Sequence, residues 1–150
     1  MTSSVAFHFN VAERDVHLVR LVRKAWRLGA WVCVSAPARR LDEIDRLLWT
    51  FDPLEFIPHR RVADSRRLLS SPDPLPLPVQ LAEVPAPRRA DEVLIHDGGA
   101  DAITPIAGFE AFDRVIELVG RSEVDRAAAR QRWQYYRLAG LSIERHEVPD

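Results

Sequence analysis

Cysteine and lysine are almost absent from this chain. Cys33 is its only cysteine and Lys24 its only lysine. A single thiol cannot close a disulfide within the chain, which fits a reducing cytoplasm, and it supports no cysteine-based zinc cluster. No apolar run approaches the length that spans a membrane. The opening Met1-Thr2-Ser3-Ser4 has no basic region followed by an apolar stretch, so no signal peptide is expected and the expected location is cytoplasmic. A surplus of positive charge is missing too. The formal net charge is -1, and a phosphate-neutralising clamp needs a concentrated basic surface, so strong direct nucleic-acid binding is disfavoured.

Glycine is scarce where a nucleotide would need it. The first strand-to-helix turn, Asn10-Val11-Ala12-Glu13-Arg14, contains none, so its backbone cannot approach a pyrophosphate in the usual way. No Gly-rich loop ending in Lys-Ser or Lys-Thr occurs, and no nucleophile elbow. The histidines His8, His17, His59, His96 and His146 are scattered without ligand spacing, so no metal or other cofactor is expected.

What the chain does have is a core. At 150 residues and 47% apolar content it reads as one globular domain, residues 1–150. Val5 to Phe9 alternates as a strand. A helix follows from about Ala12 to Leu28, with Gly29 at its C-terminal cap. Trp31 to Val34 reads as a buried parallel strand. Pro37 opens a second helix to about Thr50, with Leu41, Ile44, Leu47 and Leu48 inward. Glu55 to Pro58 reads as a short strand, and Pro72 to Pro78, with proline at every second position, as a polyproline-like loop. Val79 to Val84, Val93 to Ile95, Arg114 to Val119 and Leu141 to Val148 complete the strands, although Phe109, Phe112 and Ile116 leave a helical reading of the third of these open. Ser122, with Asp125 three residues on, starts the longest helix, which runs to Ala139 with Gly140 as cap. Strand and helix alternating at these spacings predict an α/β fold: a mostly parallel sheet, made mixed by its later strands, with helices on both faces.

Two places carry candidate chemistry. His96-Asp97-Gly98-Gly99 follows an apolar strand, where catalytic groups of α/β enzymes often sit, so a small-molecule enzyme is one reading. An ordinary Asp-Gly turn is the other, and no third group at a sensible spacing completes a triad. In the last helix, Arg126, Arg130, Trp133 and Arg137 recur at intervals of four, three and four and therefore share a face. Guanidinium groups beside an indole suit an acidic peptide with an apolar anchor. The alternative is an ordinary solvated face, with Trp133 packed inward among Tyr135, Leu138, Ala127 and Ala128.

The chain resembles the chi subunit of bacterial DNA polymerase III along nearly its whole length. The resemblance rests on Phe7-His8-Phe9 and the helix after it, Arg40-Leu41-Asp42-Glu43 through Leu48-Trp49, Phe56-Ile57-Pro58-His59, Val93-Leu94-Ile95, and the closing block from Ala129 to Gly140. It implies a three-layer Rossmann-like fold without nucleotide, and a non-catalytic accessory subunit of the clamp-loader assembly. The implied partners are the acidic C-terminal tail of single-stranded DNA-binding protein (SSB) and a small psi subunit that links to the clamp loader. Alignment of the closing block places Arg130 on the family's key arginine for the tail and Arg126 on a basic position one turn earlier. Trp133 falls on an aromatic position that is often tyrosine, and Val119 on an apolar wall. Trp49 matches a tryptophan expected near that surface. Phe56 matches an aromatic implicated in contact with psi or with a competing helicase.

Overall fold

The computed structural model describes residues 2–52, 54–64 and 77–149, with the side chains of residues 63 and 64 left aside. Residues 72–76 of the proline-rich loop thus lie outside the described residues. Among the described residues, seven strands and three α-helices follow one another as β1 (Ser4–Val11), α1 (Arg14–Arg27), β2 (Val32–Ser35), α2 (Ala38–Thr50), β3 (His59–Asp64), β4 (Val79–Val84), β5 (Val93–His96), β6 (Arg114–Gly120), α3 (Glu123–Leu138) and β7 (Ile143–Glu147). They form one sheet in the order β3-β4-β2-β5-β6-β1-β7.

Every strand pair in this sheet is parallel. The sheet is therefore not mixed, as the later strands had suggested. Parallel neighbours need a crossover long enough to return to the starting end of the sheet. Residues 97–113 between β5 and β6, and α3 between β6 and β7, provide one each.

Side-chain alternation divides the core into two layers. Ala6, Ile116 and Leu118 face α1 and α2, and pack with Leu18, Val22, Leu41, Ile44 and Leu48. Val5, Phe7, Val115 and Val119 face the other way, against Ala129 and Tyr136 of α3 and against Phe112. This is the three-layer α/β arrangement, with helices on both faces. Cys33 is buried in the second layer.

Local chemistry explains the helix ends. Gly29 and Gly140 follow α1 and α3 with φ of +79° and +78°, conformations that favour glycine. The Asp125 N–H donates to Ser122 Oγ at 3.1 Å, as an N-cap requires. The reciprocal half of a capping box does not form. The Asp125 carboxylate accepts instead from the Gly120 N–H and from Arg14.

Two further expectations fail, and one open reading is settled. Glu55 to Pro58 forms no strand; β3 begins only at His59 and continues through Arg60 and Arg61. Its polar sequence suits a sheet edge, where one side needs no apolar cover. Arg114–Gly120 settles as a strand, with the helical tendency before it reduced to one 3-10 turn at Phe109–Ala111. On α3, Tyr135, Leu138 and Ala127 are exposed, and the inward positions are Asp125, Ala128, Ala129, Arg132 and Tyr136.

Candidate functional site

The C-terminal ends of the strands, where ligands bind in many parallel sheets, are cross-linked by charge. Glu117 on β6 is fully buried. His96 Nδ1 lies 2.9 Å from its Oε1, Arg132 Nε donates to the same oxygen at 3.0 Å, and the Tyr136 hydroxyl donates to Oε2 at 2.7 Å. Burial works against the charged carboxylate, but His96, the Arg132 guanidinium and the Tyr136 hydroxyl outweigh it and hold Glu117 below the usual carboxylate range. Burial and the Glu117 charge push the Tyr136 hydroxyl far up, so it remains a donor. Arg132 Nη1 donates to the Ala102 carbonyl at 2.6 Å. A second knot joins Asp97 to Arg14 and to Arg40 Nε, the latter at 2.8 Å.

His96 Nδ1 and both Asp97 carboxylate oxygens are therefore engaged within the fold. The hollows beside them are modest. One of about 240 Å³ is bordered by His96, Gly98 and Ile106, and one of about 340 Å³ by Arg14, Arg40 and Asp97. Gly98 is required here, since a Cβ would come 2.6 Å from His96 Nε2.

The fold also gathers three of the scattered histidines. His8 Nδ1 and His17 Nε2 are 3.0 Å apart, and the His146 ring lies 5.2 Å from that of His8, its register partner in β7. Burial, then the proximity of His17, His146 and Arg114, lowers His8 to about 4. Among the described residues, no group of three or more His, Cys, Asp or Glu is arranged to hold a metal ion.

The other concave site lies on the far face, at the β7 edge. Phe9, Arg126, Arg130, Trp133, Gln134, Arg145 and Glu147 line a cavity of about 470 Å³. Helical spacing puts Arg126, Arg130 and Trp133 on its α3 wall. The Trp133 ring is half-buried, 5.0 Å from that of Phe7 and 6.1 Å from that of Phe9, so it floors the cavity instead of filling the core. Arg130 is exposed and donates to Glu123 Oε1 at 2.7 Å, which draws Glu123 below the usual carboxylate range. Opposite, β1 supplies Phe9 and β7 supplies Arg145 and Glu147. Register pairs Phe7 with Arg145 and Phe9 with Glu147, so these side chains share the face that α3 covers.

The remaining sequence candidates lie elsewhere. Val119 is buried beside Ala129 in the layer under α3 and does not reach the cavity surface. Arg137 is exposed one turn beyond Trp133 but outside the lining. Trp49 is not near Arg130. It stacks on Phe56 at 4.8 Å and on His59 of β3 at 5.3 Å, at the opposite edge of the sheet. Trp49 and Phe56 are 58% and 50% exposed and, with Leu54 at 96%, form an aromatic and apolar patch.

Sequence reading missed Phe9, Gln134, Arg145 and Glu147. Phe9 has a signal, since Phe7 and Phe9 alternate on one strand face. Arg145 and Glu147 alternate likewise on β7, but only strand pairing brings that face to α3.

The matching family model is described as "DNA polymerase III chi subunit, HolC", and it matches residues 1–144. The chain is similar to the DNA polymerase III subunit chi of Pseudomonas aeruginosa, with 33% identity over 132 residues, covering 87% of this chain and 83% of the relative. It is also similar to that of Haemophilus influenzae, with 25% identity over 130 residues, covering 85% and 83%.

Proposed function

Since the chain belongs to the DNA polymerase III chi subunit family, and so to the accessory subunits of DNA replication, we propose that it is a non-catalytic adaptor whose α3 cavity takes the acidic C-terminal tail of SSB. The observation that carries this reading is the cavity between α3 and β7, with the Arg126 and Arg130 side chains in its lining beside Trp133 and Phe9. Carboxylates of an acidic tail accept charge-assisted hydrogen bonds from such guanidinium groups, and an apolar terminal side chain packs on the rings. The commitment of His96 and Asp97 to Glu117, Arg14 and Arg40 supports an adaptor over an enzyme at the strand ends.

Titration of a labelled SSB C-terminal peptide tests the assignment. Wild-type protein binds, Arg130→Ala binds at least about tenfold more weakly, and added salt weakens binding. Equal affinity of the two proteins refutes the site. A mobility-shift experiment with single-stranded DNA and no SSB is expected to show no complex.

The Trp49, Phe56 and Leu54 patch supports a second contact in the same adaptor. Large exposed aromatics in an apolar patch suit a protein partner, here psi or the clamp loader, with a helicase as a competitor for the surface. The adaptor would thus hold SSB at the β7 edge and the polymerase machinery at the β3 edge, in the bacterial cytoplasm. Co-purification of psi should be lost with Trp49→Ala/Phe56→Ala while tail binding persists.

A further inference from the structure

The cavity at the β7 edge holds a feature that the tail-binding reading does not use. Its arginines come in two kinds. The Arg126 backbone N–H donates to the Ser122 carbonyl, but its side chain makes no hydrogen bond or ion pair among those described. Arg130 and Arg145 are each engaged by a carboxylate of this same chain. Arg145 donates to Glu147 Oε1 from Nε at 3.1 Å and from Nη2 at 2.6 Å, and its Cζ lies 4.7 Å above the Phe9 ring. Arg130 donates to Glu123 at 2.7 Å. Both pairs are more than half exposed.

We propose that Arg145 is a further cation of the acidic-peptide site and that Glu147 is its built-in competitor, a carboxylate that occupies the guanidinium until a peptide carboxylate replaces it. This rests on the reading of the cavity as an acidic-peptide site. Charge complementarity identifies the occupant: three guanidinium groups in the lining face a single carboxylate, Glu147.

The geometry suits exchange. The Arg145 guanidinium lies over the Phe9 ring, a cation–π contact that positions it beside the cavity. Arg145 and Glu147 sit two apart on β7, so both project to the cavity side. An exposed ion pair is worth little in water, so Glu147 yields readily. A neutral peptide gains nothing by displacing it. Only a ligand that supplies its own carboxylate keeps Arg145 neutralised when Glu147 leaves, whereas an apolar peptide on Phe9 and Trp133 leaves the pair as it is.

The probe is a short fluorescein-labelled peptide of consecutive aspartates closed by phenylalanine, with an asparagine-for-aspartate version as control. Affinity is measured by anisotropy at low salt for wild type, Arg130→Ala, Arg145→Ala, Glu147→Gln and the Arg145→Ala/Glu147→Gln double variant. Arg145→Ala is expected to weaken the aspartate peptide by about threefold to tenfold, and Glu147→Gln to tighten it by about twofold to fivefold. The Glu147→Gln gain should vanish in the double variant, which ties it to Arg145 and not to net charge. Glu147→Gln should also widen the preference for aspartate over asparagine peptide, since only a carboxylate gains from the freed Arg145. Loss of binding in Arg130→Ala, with Arg145→Ala and Glu147→Gln both at wild-type affinity, overturns this inference and leaves the tail site standing. A Glu147→Gln gain that survives in Arg145→Ala overturns it too. Wild-type binding that is absent, or unchanged by Arg130→Ala, removes the tail site and this inference together.

Discussion

Arg130 and Arg132 stand two positions apart on α3, carry the same guanidinium group, and differ in what surrounds them. Arg132 is 1% exposed. It bonds to Glu117 and to the Ala102 carbonyl, and it belongs to a cluster that includes His96 and Tyr136. Arg130 points to water, and its only described bond is to an exposed glutamate on its own helix. The buried arginine is held in place by partners within the layer, and at 1% exposure almost none of it is open to a ligand. The exposed arginine keeps a replaceable partner. One helix therefore carries an arginine that holds the fold and one that faces solvent, separated by the angle at which each leaves its axis.

Breaking the buried side should have the largest effect. Arg132→Met leaves the Glu117 carboxylate buried with the Arg132 guanidinium removed, and is expected to lower unfolding free energy by about 3–5 kcal/mol in urea denaturation. A loss below about 1 kcal/mol would contradict a structural role for Arg132. Trp133 lies between the two sides. Trp133→Ala should cost roughly 2 kcal/mol, less than a fully buried tryptophan, because only part of its ring packs on Phe7 and Phe9; the same variant should bind tail peptide more weakly. Arg130→Ala should leave stability within about 0.5 kcal/mol of wild type, so that its loss of affinity reads as loss of contact. Unfolding by Arg130→Ala would erase the contrast.

A smaller effect concerns pH. Folded His8 titrates at about 4, against an ordinary 6.5, because burial first, and then His17, His146 and Arg114, disfavour its proton. Between those values the unfolded chain binds a proton that the folded chain does not. Stability is thus fully present above pH 6.5 and declines as pH falls toward 4. His8→Gln should flatten that decline in denaturation midpoints measured from pH 7 to pH 4.5, with little change at pH 7. Partial exposure of the ring keeps the effect small.

Much of the frame was legible in the sequence because it follows from local rules. The period of apolar residues in α1 and α2, the Ser122 cap, and Gly29 and Gly140 all act within a turn or two of their own position. The grouping of Arg126, Arg130 and Trp133 is local in the same way. What the sequence hid depends on distant partners. Arg132 looks like any surface arginine until Glu117 is seen opposite it. Trp49 reaches Phe56 and His59 because α2 ends beside β3, and β3 itself is too polar to announce a strand. Arg145 enters the cavity only because β7 pairs with β1, a register between residues at the two ends of the chain.

That register bears on when the protein becomes competent during its own synthesis. Val5 pairs with Val115 on one side and with Ile143 on the other, so β1 has no neighbour in the sheet until β6 has been made. The cavity needs Phe9 of β1 together with Trp133 of α3 and Arg145 of β7. A growing chain can form α1, α2 and the β2–β4 side of the sheet early, but not this cavity. Loop closure over such separations is slow, so the α3 wall and the strand edge facing it come together only after β7 has paired with β1.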